Sequence, residues 1–232
     1  MQRMLFAVIL SLFLMVCLTS PAWAGGLDDA KAGIAAAAGG DFDKAIRLFT
    51  KAIASGELSR ENLSIVYDNR GIAWWKMGDF DKAIADFNKA IEIDPKNAST
   101  YYNRGHAWGA KGDYDKAIAD YTKSIKIDPK YAFAYYNRGI AWGKKGDYDK
   151  AIADYTKAIE IDLKYADAYN NRGIAWGKKG DYDKAIADIT KAIEINLKFS
   201  DAYNNRGIAW DKKGNHDKAK ADYAKAKELG YK

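Results

Sequence analysis

Residues 101–118 read YYNRGHAWGAKGDYDKAI, and variants of the same phrase return along the chain. The tripeptide Asn-Arg-Gly places arginines at Arg70, Arg104, Arg138, Arg172 and Arg206, each 34 residues from the last. An aromatic stands three before each arginine (Tyr67, Tyr101, Tyr135, Tyr169, Tyr203) and a tryptophan four after it (Trp74, Trp108, Trp142, Trp176, Trp210). Tyr101, Arg104-Gly105 and Trp108, spaced by three and four, share one face of a helix. Ala117, Tyr121, Ser124 and Ile125 mark one face of a second helix. Between them, Gly112 followed by Asp113 supplies a left-handed helix terminator and then an N-cap, as do Gly78-Asp79, Gly146-Asp147 and Gly180-Asp181. The period therefore writes one helical hairpin. Gly105 lies inside the first helix, where glycine costs about 1 kcal/mol against alanine; its recurrence marks a place where a neighbouring helix passes too close for a side chain.

This pattern resembles the tetratricopeptide repeat, whose motif positions in the unit starting at Ala98 are Tyr101, Arg104-Gly105, Trp108, Ala117, Tyr121, Ser124 and Pro129. The resemblance implies an all-α fold, a right-handed superhelical solenoid of antiparallel helix pairs with about six repeats. A degenerate first repeat and its connection occupy 25–63, followed by repeats at 64–97, 98–131, 132–165, 166–199 and 200–232, the last including a C-terminal cap. In the first, Gly33 and Asp41-Phe42-Asp43-Lys44-Ala45 fit, Ala36 replaces the tryptophan, and Ser55 to Leu63 makes a longer connection. Leu163 and Leu197 replace the prolines at Pro95 and Pro129, which permits the second helices there to run longer. Ile84, Ile118, Ile152 and Ile186 give way to Lys220, and Ile91, Ile125, Ile159 and Ile193 to Lys227. The final helix is thus expected to be solvated where its predecessors pack, as the end of a stack requires.

The 232 residues are 48% hydrophobic and 29% charged, a mix that forms a packed core and not a disordered chain. The formal charge of +6 comes from 37 basic and 31 acidic residues interleaved throughout, so no nucleic-acid partner is expected. One cysteine, Cys17, and two histidines, His106 and His216, leave no basis for a disulfide framework or a metal centre. No cofactor is expected. Asp113-Tyr114-Asp115 and its copies look like a metal-binding DxD, but their place after a turn makes them helix caps. No acid–base constellation surrounds the histidines, so the chain reads as non-enzymatic. Met1 to Arg3 carry one positive charge, Met4 to Leu18 carry none, and Ala22-Trp23-Ala24 gives a small-x-small pattern. Residues 1–24 thus read as a secretory signal peptide, which sends the chain to the bacterial periplasm or outside the cell. The apolar run is shorter than the roughly 20 residues that span a bilayer. An uncleaved membrane anchor is the second reading. A lipid anchor at Cys17 is the third, against which Leu14-Met15-Val16 lacks the small residue such sites carry.

In the tetratricopeptide family the first helices line an inner groove that holds a peptide or helix of a partner protein, and the resemblance places the corresponding residues here. They include the asparagine ladder Asn69, Asn103, Asn137, Asn171 and Asn205, with Tyr102, Tyr136, Asn170 and Asn204 just before it and His106 one turn on. Two readings of the ladder stand: its amides hydrogen-bond a peptide backbone, or they serve the fold. Gly109, Gly143 and Gly177 occupy a position filled by Trp75 in the second repeat and Asp211 in the sixth. Either they open the helix backbone to a ligand, or they end the first helix early. The arginines stand where the family has leucine; they pair with the recurring Asp86, Asp120, Asp154, Asp188 and Asp222, or form a basic ladder for phosphate or carboxylate. The family's clamp for acidic tails needs lysine and asparagine where this chain has Tyr102 and His106, or Asn170 and Ile174, and is not expected. The sequence thus points to a protein-binding scaffold, with an assembly adaptor working through its convex face as the alternative.

Overall fold

The computed structural model describes residues 24–231. The leader reading, Cys17 included, lies outside the described residues except for Ala24. Residues up to Lys111 and residues from Gly112 onward form two compact units. In the first unit the helices are α1 (Ala24–Ala38), α2 (Phe42–Ala54), α3 (Arg60–Lys76), α4 (Phe80–Ile93) and α5 (Ala98–Ala110). In the second they are α6 (Tyr114–Ile127), α7 (Ala132–Lys144), α8 (Tyr148–Ile161), α9 (Ala166–Lys178), α10 (Tyr182–Ile195), α11 (Ser200–Lys212) and α12 (His216–Glu228). No strand occurs among the described residues, and no helix there is long and apolar enough to cross a membrane. Within each unit every helix packs on the one that follows it, and first helices of successive repeats also touch, α1 on α3, α3 on α5, α7 on α9 and α9 on α11. This is the expected all-α array of helix pairs.

Local chemistry fixes the turns. Gly78 and Gly146 end their helices at φ 82°, which L side chains rarely adopt. The next residue then caps the following helix: Asp79 accepts the Lys82 amide at 3.2 Å and Asp147 the Lys150 amide at 3.1 Å. Both carboxyls are held below the ordinary aspartate value, first by the lysine side chain and then by that backbone amide. The second aspartate of four DxD copies is also accounted for, since Asp81, Asp115, Asp149 and Asp183 pair with Lys111, Lys145, Lys179 and Lys213 of the following repeat.

Two expectations need correction. The connection after α2 is shorter than Ser55 to Leu63, because Ser59 accepts the Asn62 amide at 3.2 Å and starts α3 at Arg60. That gives α3 17 residues where α5, α7, α9 and α11 have 13. Nor do α8 and α10 lengthen where leucine replaces proline; both have 14 residues, like α4 and α6. The stop lies elsewhere: Asp94, Asp128, Asp162 and Asn196 each accept the amide two residues on, at 2.9 to 3.1 Å, and this side-chain turn acts with or without the proline. The repeat tryptophans are half-buried. A lysine of the next helix covers four of the rings, with Lys82, Lys150, Lys184 and Lys218 at 4.3 to 4.4 Å from Trp74, Trp142, Trp176 and Trp210.

The core is smaller-grained than the aromatic motif suggests. In the first unit it is built on Ala45, Phe49, Ala73, Ala83 and Phe87, and in the second on Ala141, Ala151, Tyr155, Ala175, Ala185 and Ile189, all buried. Alanine at these positions lets helices approach, and the helical glycines take the closest approach. A Cβ at Gly71 would lie 2.7 Å from the Phe87 ring, and one at Gly139 2.7 Å from the Tyr155 ring. At Gly173 it would lie 2.9 Å from the Ala185 carbonyl oxygen. The last helix is solvated as expected, with Lys220 and Lys227 exposed and Ala219, Asp222 and Ala226 buried.

Two glycines on α9 test this packing against helix propensity. Gly173→Ala is expected to lower stability by about 1–3 kcal/mol, because backbone must move. Gly177→Ala, whose Cβ would sit 3.8 Å from the Ala185 methyl, is expected to raise it by about 0.5–1 kcal/mol. Urea denaturation of the two variants beside the parent gives both signs.

Candidate functional site

The arginine ladder is internal. In the first unit Arg70 Nε and Nη2 both donate to the Asp86 carboxylate at 2.7 Å, and its Nη1 donates to Thr50 of the preceding repeat at 2.9 Å. Arg104 Nη1 donates to Asn88 at 2.6 Å. The second unit repeats the fork: Arg138 on Asp154 and Thr122, Arg172 on Asp188 and Thr156, Arg206 on Asp222 and Thr190, with carboxylate contacts of 2.7 to 2.8 Å. Each guanidinium also lies 5.5 to 5.6 Å from the ring of the tyrosine three residues before it. The bond to Asp188 raises the Arg172 pKa further, and the bond to Asp222 does the same for Arg206. These arginines hold helices together and offer no free basic ladder.

The asparagines stitch first helices to one another. In the first unit Asn103 Nδ2 donates to both Asp68 oxygens, at 3.2 and 3.3 Å. In the second, Asn205 Nδ2 donates to Asn170 Oδ1 at 3.1 Å, Asn170 Nδ2 to Asn171 Oδ1 at 3.4 Å, and Asn171 Nδ2 to the Tyr136 hydroxyl at 3.0 Å. One polar chain therefore crosses α11, α9 and α7. Asn69 and Asn137 donate back to the carbonyls of Ile65 and Phe133 at 2.9 Å, and Asn204 donates to the Tyr231 hydroxyl at 3.0 Å. An amide has two donors and an acceptor, so a rung of this kind keeps capacity for a ligand while it serves the array. In the first unit, burial pushes the Asp68 carboxyl up from the ordinary 3.8 to about 6, with the Asn103 bond opposing the rise. Burial likewise holds the His106 imidazole below its usual value, and Lys76 adds to that.

Gly109, Gly143 and Gly177 do not end their helices, since α5, α7 and α9 each continue one residue beyond them. What Gly143 does is open a cavity of about 330 Å³ among α7, α8 and α9. Ile140, Ile174, Tyr148 and Tyr155 line it, with Asn171 and the lysines Lys144 and Lys178. A Cβ at Gly143 would meet nothing nearer than the Tyr155 hydroxyl at 4.0 Å. Sequence reasoning missed Tyr155, Lys144 and Lys178; the one available signal for the lysines was their recurrence directly after the glycine. In the first unit Ile72, Trp75, Phe87, Tyr102, Asn103 and His106 surround a space of only about 10 Å³. No group of three His, Cys, Asp or Glu residues that could hold a metal occurs among the described residues.

Comparison with known proteins agrees with this geometry. Tetratricopeptide repeat family profiles match residues 98–131, 132–165, 166–199 and 200–229, and a related TPR repeat profile matches 71–112. The chain belongs to the tetratricopeptide repeat family. Among solved structures it is similar to MamA, with 34% identity over 68% of this chain and 93% of that one, at a TM-score of 0.65. A tetratricopeptide repeat protein from Parabacteroides merdae shares 21% identity over 88% of this chain and 80% of its own, at a TM-score of 0.76. YrrB, described as a TPR protein with an unusual peptide-binding site, shares 24% identity over 78% of this chain and 92% of its own, at a TM-score of 0.63. The last two show the fold alone. No curated protein sequence matches the chain.

Two measurements check the electrostatics. Arg138→Met strands the largely buried Asp154 carboxylate and is expected to cost about 2–4 kcal/mol, part of which Arg138→Met with Asp154→Leu restores; urea denaturation of both reads the difference. For Asp68 the folded pKa exceeds the unfolded one, so its favourable contribution is complete below the ordinary 3.8 and is lost as pH rises through about 6. Asp68→Asn is therefore expected to stabilise the chain by about 1–3 kcal/mol at pH 8, and to lose that advantage near pH 4. Equal stability gains at both pH values would contradict the assignment.

Proposed function

We propose that the chain is a non-catalytic interaction scaffold that holds a peptide or helix of a partner protein on the face of its first helices. The cavity at Gly143 carries this reading. It is an apolar recess beside the Asn171 amide, on the face where the asparagine chain runs, and an extended peptide needs both an apolar anchor point and backbone hydrogen bonds. The peptide-binding site named for YrrB is a precedent on the same fold. The leader-like residues 1–24 support export to the periplasm or beyond, where a scaffold without cysteine after Cys17 needs no disulfide.

A second reading, an assembly adaptor that associates with another copy or tethers an envelope enzyme through its outer surface, has its own observation. Leu163 and Leu197, which follow α8 and α10, are each 69% exposed. Two large aliphatic side chains at equivalent places in successive repeats make an apolar edge in the second unit.

Peptide display against the purified chain separates the two. The groove reading expects enriched peptides that shift the amide resonances of Gly143, Asn171 and Ile174. It also expects Asn137→Ala, Asn171→Ala and Asn205→Ala together to weaken them about tenfold or more, with helicity by circular dichroism retained. No enrichment, together with a mass in sedimentation that rises with concentration and falls back in Leu163→Lys, Leu197→Lys, favours the adaptor.

A further inference from the structure

The position beside the cavity is Gly143 in α7 but Trp75 in α3 and Asp211 in α11, so the chain fills the corresponding place twice with its own side chains. In the first unit the Trp75 indole lies edge-on to His106, ring centroids 4.8 Å apart, and the space there shrinks to about 10 Å³. In the second unit Tyr223, which stands where α8 has Tyr155, donates its hydroxyl to Asp211 Oδ2 at 2.7 Å. Beside Gly143 both fillings are missing. The recess measures about 330 Å³, and the Tyr155 hydroxyl makes no hydrogen bond to another described residue. One repeat thus shows that the place accepts an aromatic ring, and another that its tyrosine binds a carboxylate.

The rim charge points the same way. Lys145 and Lys179 are tied to Asp115 and Asp149, whereas their neighbours Lys144 and Lys178 line the recess and have no carboxylate partner. The nearest aspartates in sequence, Asp147 and Asp181, three residues beyond Lys144 and Lys178, are themselves paired with Lys150 and Lys184.

We propose that the recess beside Gly143 receives one large aromatic side chain from an acidic partner peptide. The ring packs between Ile140 and Ile174 as the Trp75 indole packs against His106. A carboxylate next to it in the peptide meets Lys144 and Lys178 and accepts the Tyr155 hydroxyl. This rests on the peptide-binding reading and adds the chemistry of the ligand.

Three capped peptides test it: Gly-Glu-Trp-Glu-Gly, Gly-Lys-Trp-Lys-Gly and Gly-Glu-Ala-Glu-Gly, titrated into nitrogen-15-labelled protein. The first is expected to move the amides of Gly143, Lys144 and Ile174 and to bind about tenfold or more tighter than either other peptide at low salt, with the margin narrowing in 1 M salt. Gly143→Trp copies the second repeat into open space and is expected to abolish that binding with helicity unchanged. Lys144→Gln, Lys178→Gln is expected to remove the preference for glutamate over lysine. Equal binding of the three peptides, no binding of the first, or undiminished binding to Gly143→Trp overturns the proposal. If display-selected peptides still bind Gly143→Trp but not the triple asparagine variant, the aromatic receptor falls while the peptide-binding reading stands.

Discussion

Arg70, Arg138, Arg172 and Arg206 each hold three pieces of structure with one planar group. Two nitrogens grip a carboxylate on the second helix of the same hairpin, and a third reaches a threonine on the second helix of the hairpin before. The guanidinium fork has fixed geometry, so these bonds set the angle within a hairpin and the register between hairpins at once. The pair is only slightly exposed, 17% for Arg172 and 14% for Asp188. At such burial a charge without its partner costs several kcal/mol, and arrangements that separate the two are therefore strongly disfavoured. Replacing the family's leucine with arginine trades a non-directional contact for a directional one.

The rest of the first helix follows from that placement. With 3.6 residues per turn, fixing Arg172 towards the second helices turns the preceding Asn171 onto the neighbouring face, where it meets the repeat before. The asparagines thus complete a second set of inter-repeat bonds, from α11 through α9 to α7. Gly173, one residue beyond the arginine, faces the Ala185 carbonyl so closely that a methyl group would not fit. Between them the three consecutive residues Asn171, Arg172 and Gly173 meet α7, α8 and α10, which is why they recur as a block. A face already tied together in this way can meet a peptide without first being ordered, and that lowers the entropic cost of binding.

The repeat departs from itself at a few positions, and these set the local chemistry of the face. Trp75, Gly143 and Asp211 occupy one position and give a ring-filled space, an open recess and a tyrosine-bound carboxylate. Asp68 in the first unit is another departure. Where later repeats carry Tyr102, Tyr136, Asn170 and Asn204, it presents a half-buried carboxyl raised to about 6, which makes that rung sensitive to mildly acidic conditions.

Much of this was legible in one dimension. The 34-residue recurrence, the Gly-Asp turns and the Arg–Asp spacing of sixteen residues all concern neighbours on one helix or across one short turn, where sequence distance and spatial distance are tied by helix geometry. Other features were not. Asp162 and Asn196 stop α8 and α10 through their own side chains, so the loss of proline left no trace in helix length. The tryptophans share one helix face with the repeat tyrosines, yet lysines from the next helix cover Trp142 and Trp176, which are only half-buried. The sequence by itself determined the hairpin, its caps and its count, because each depends on a handful of residues at fixed spacing. Only the tertiary structure decided that Gly143 opens a recess while Gly139, four residues earlier on the same helix, is pressed against Tyr155. An empty volume is the difference between surfaces contributed by three helices, and no single strip of sequence contains all of them.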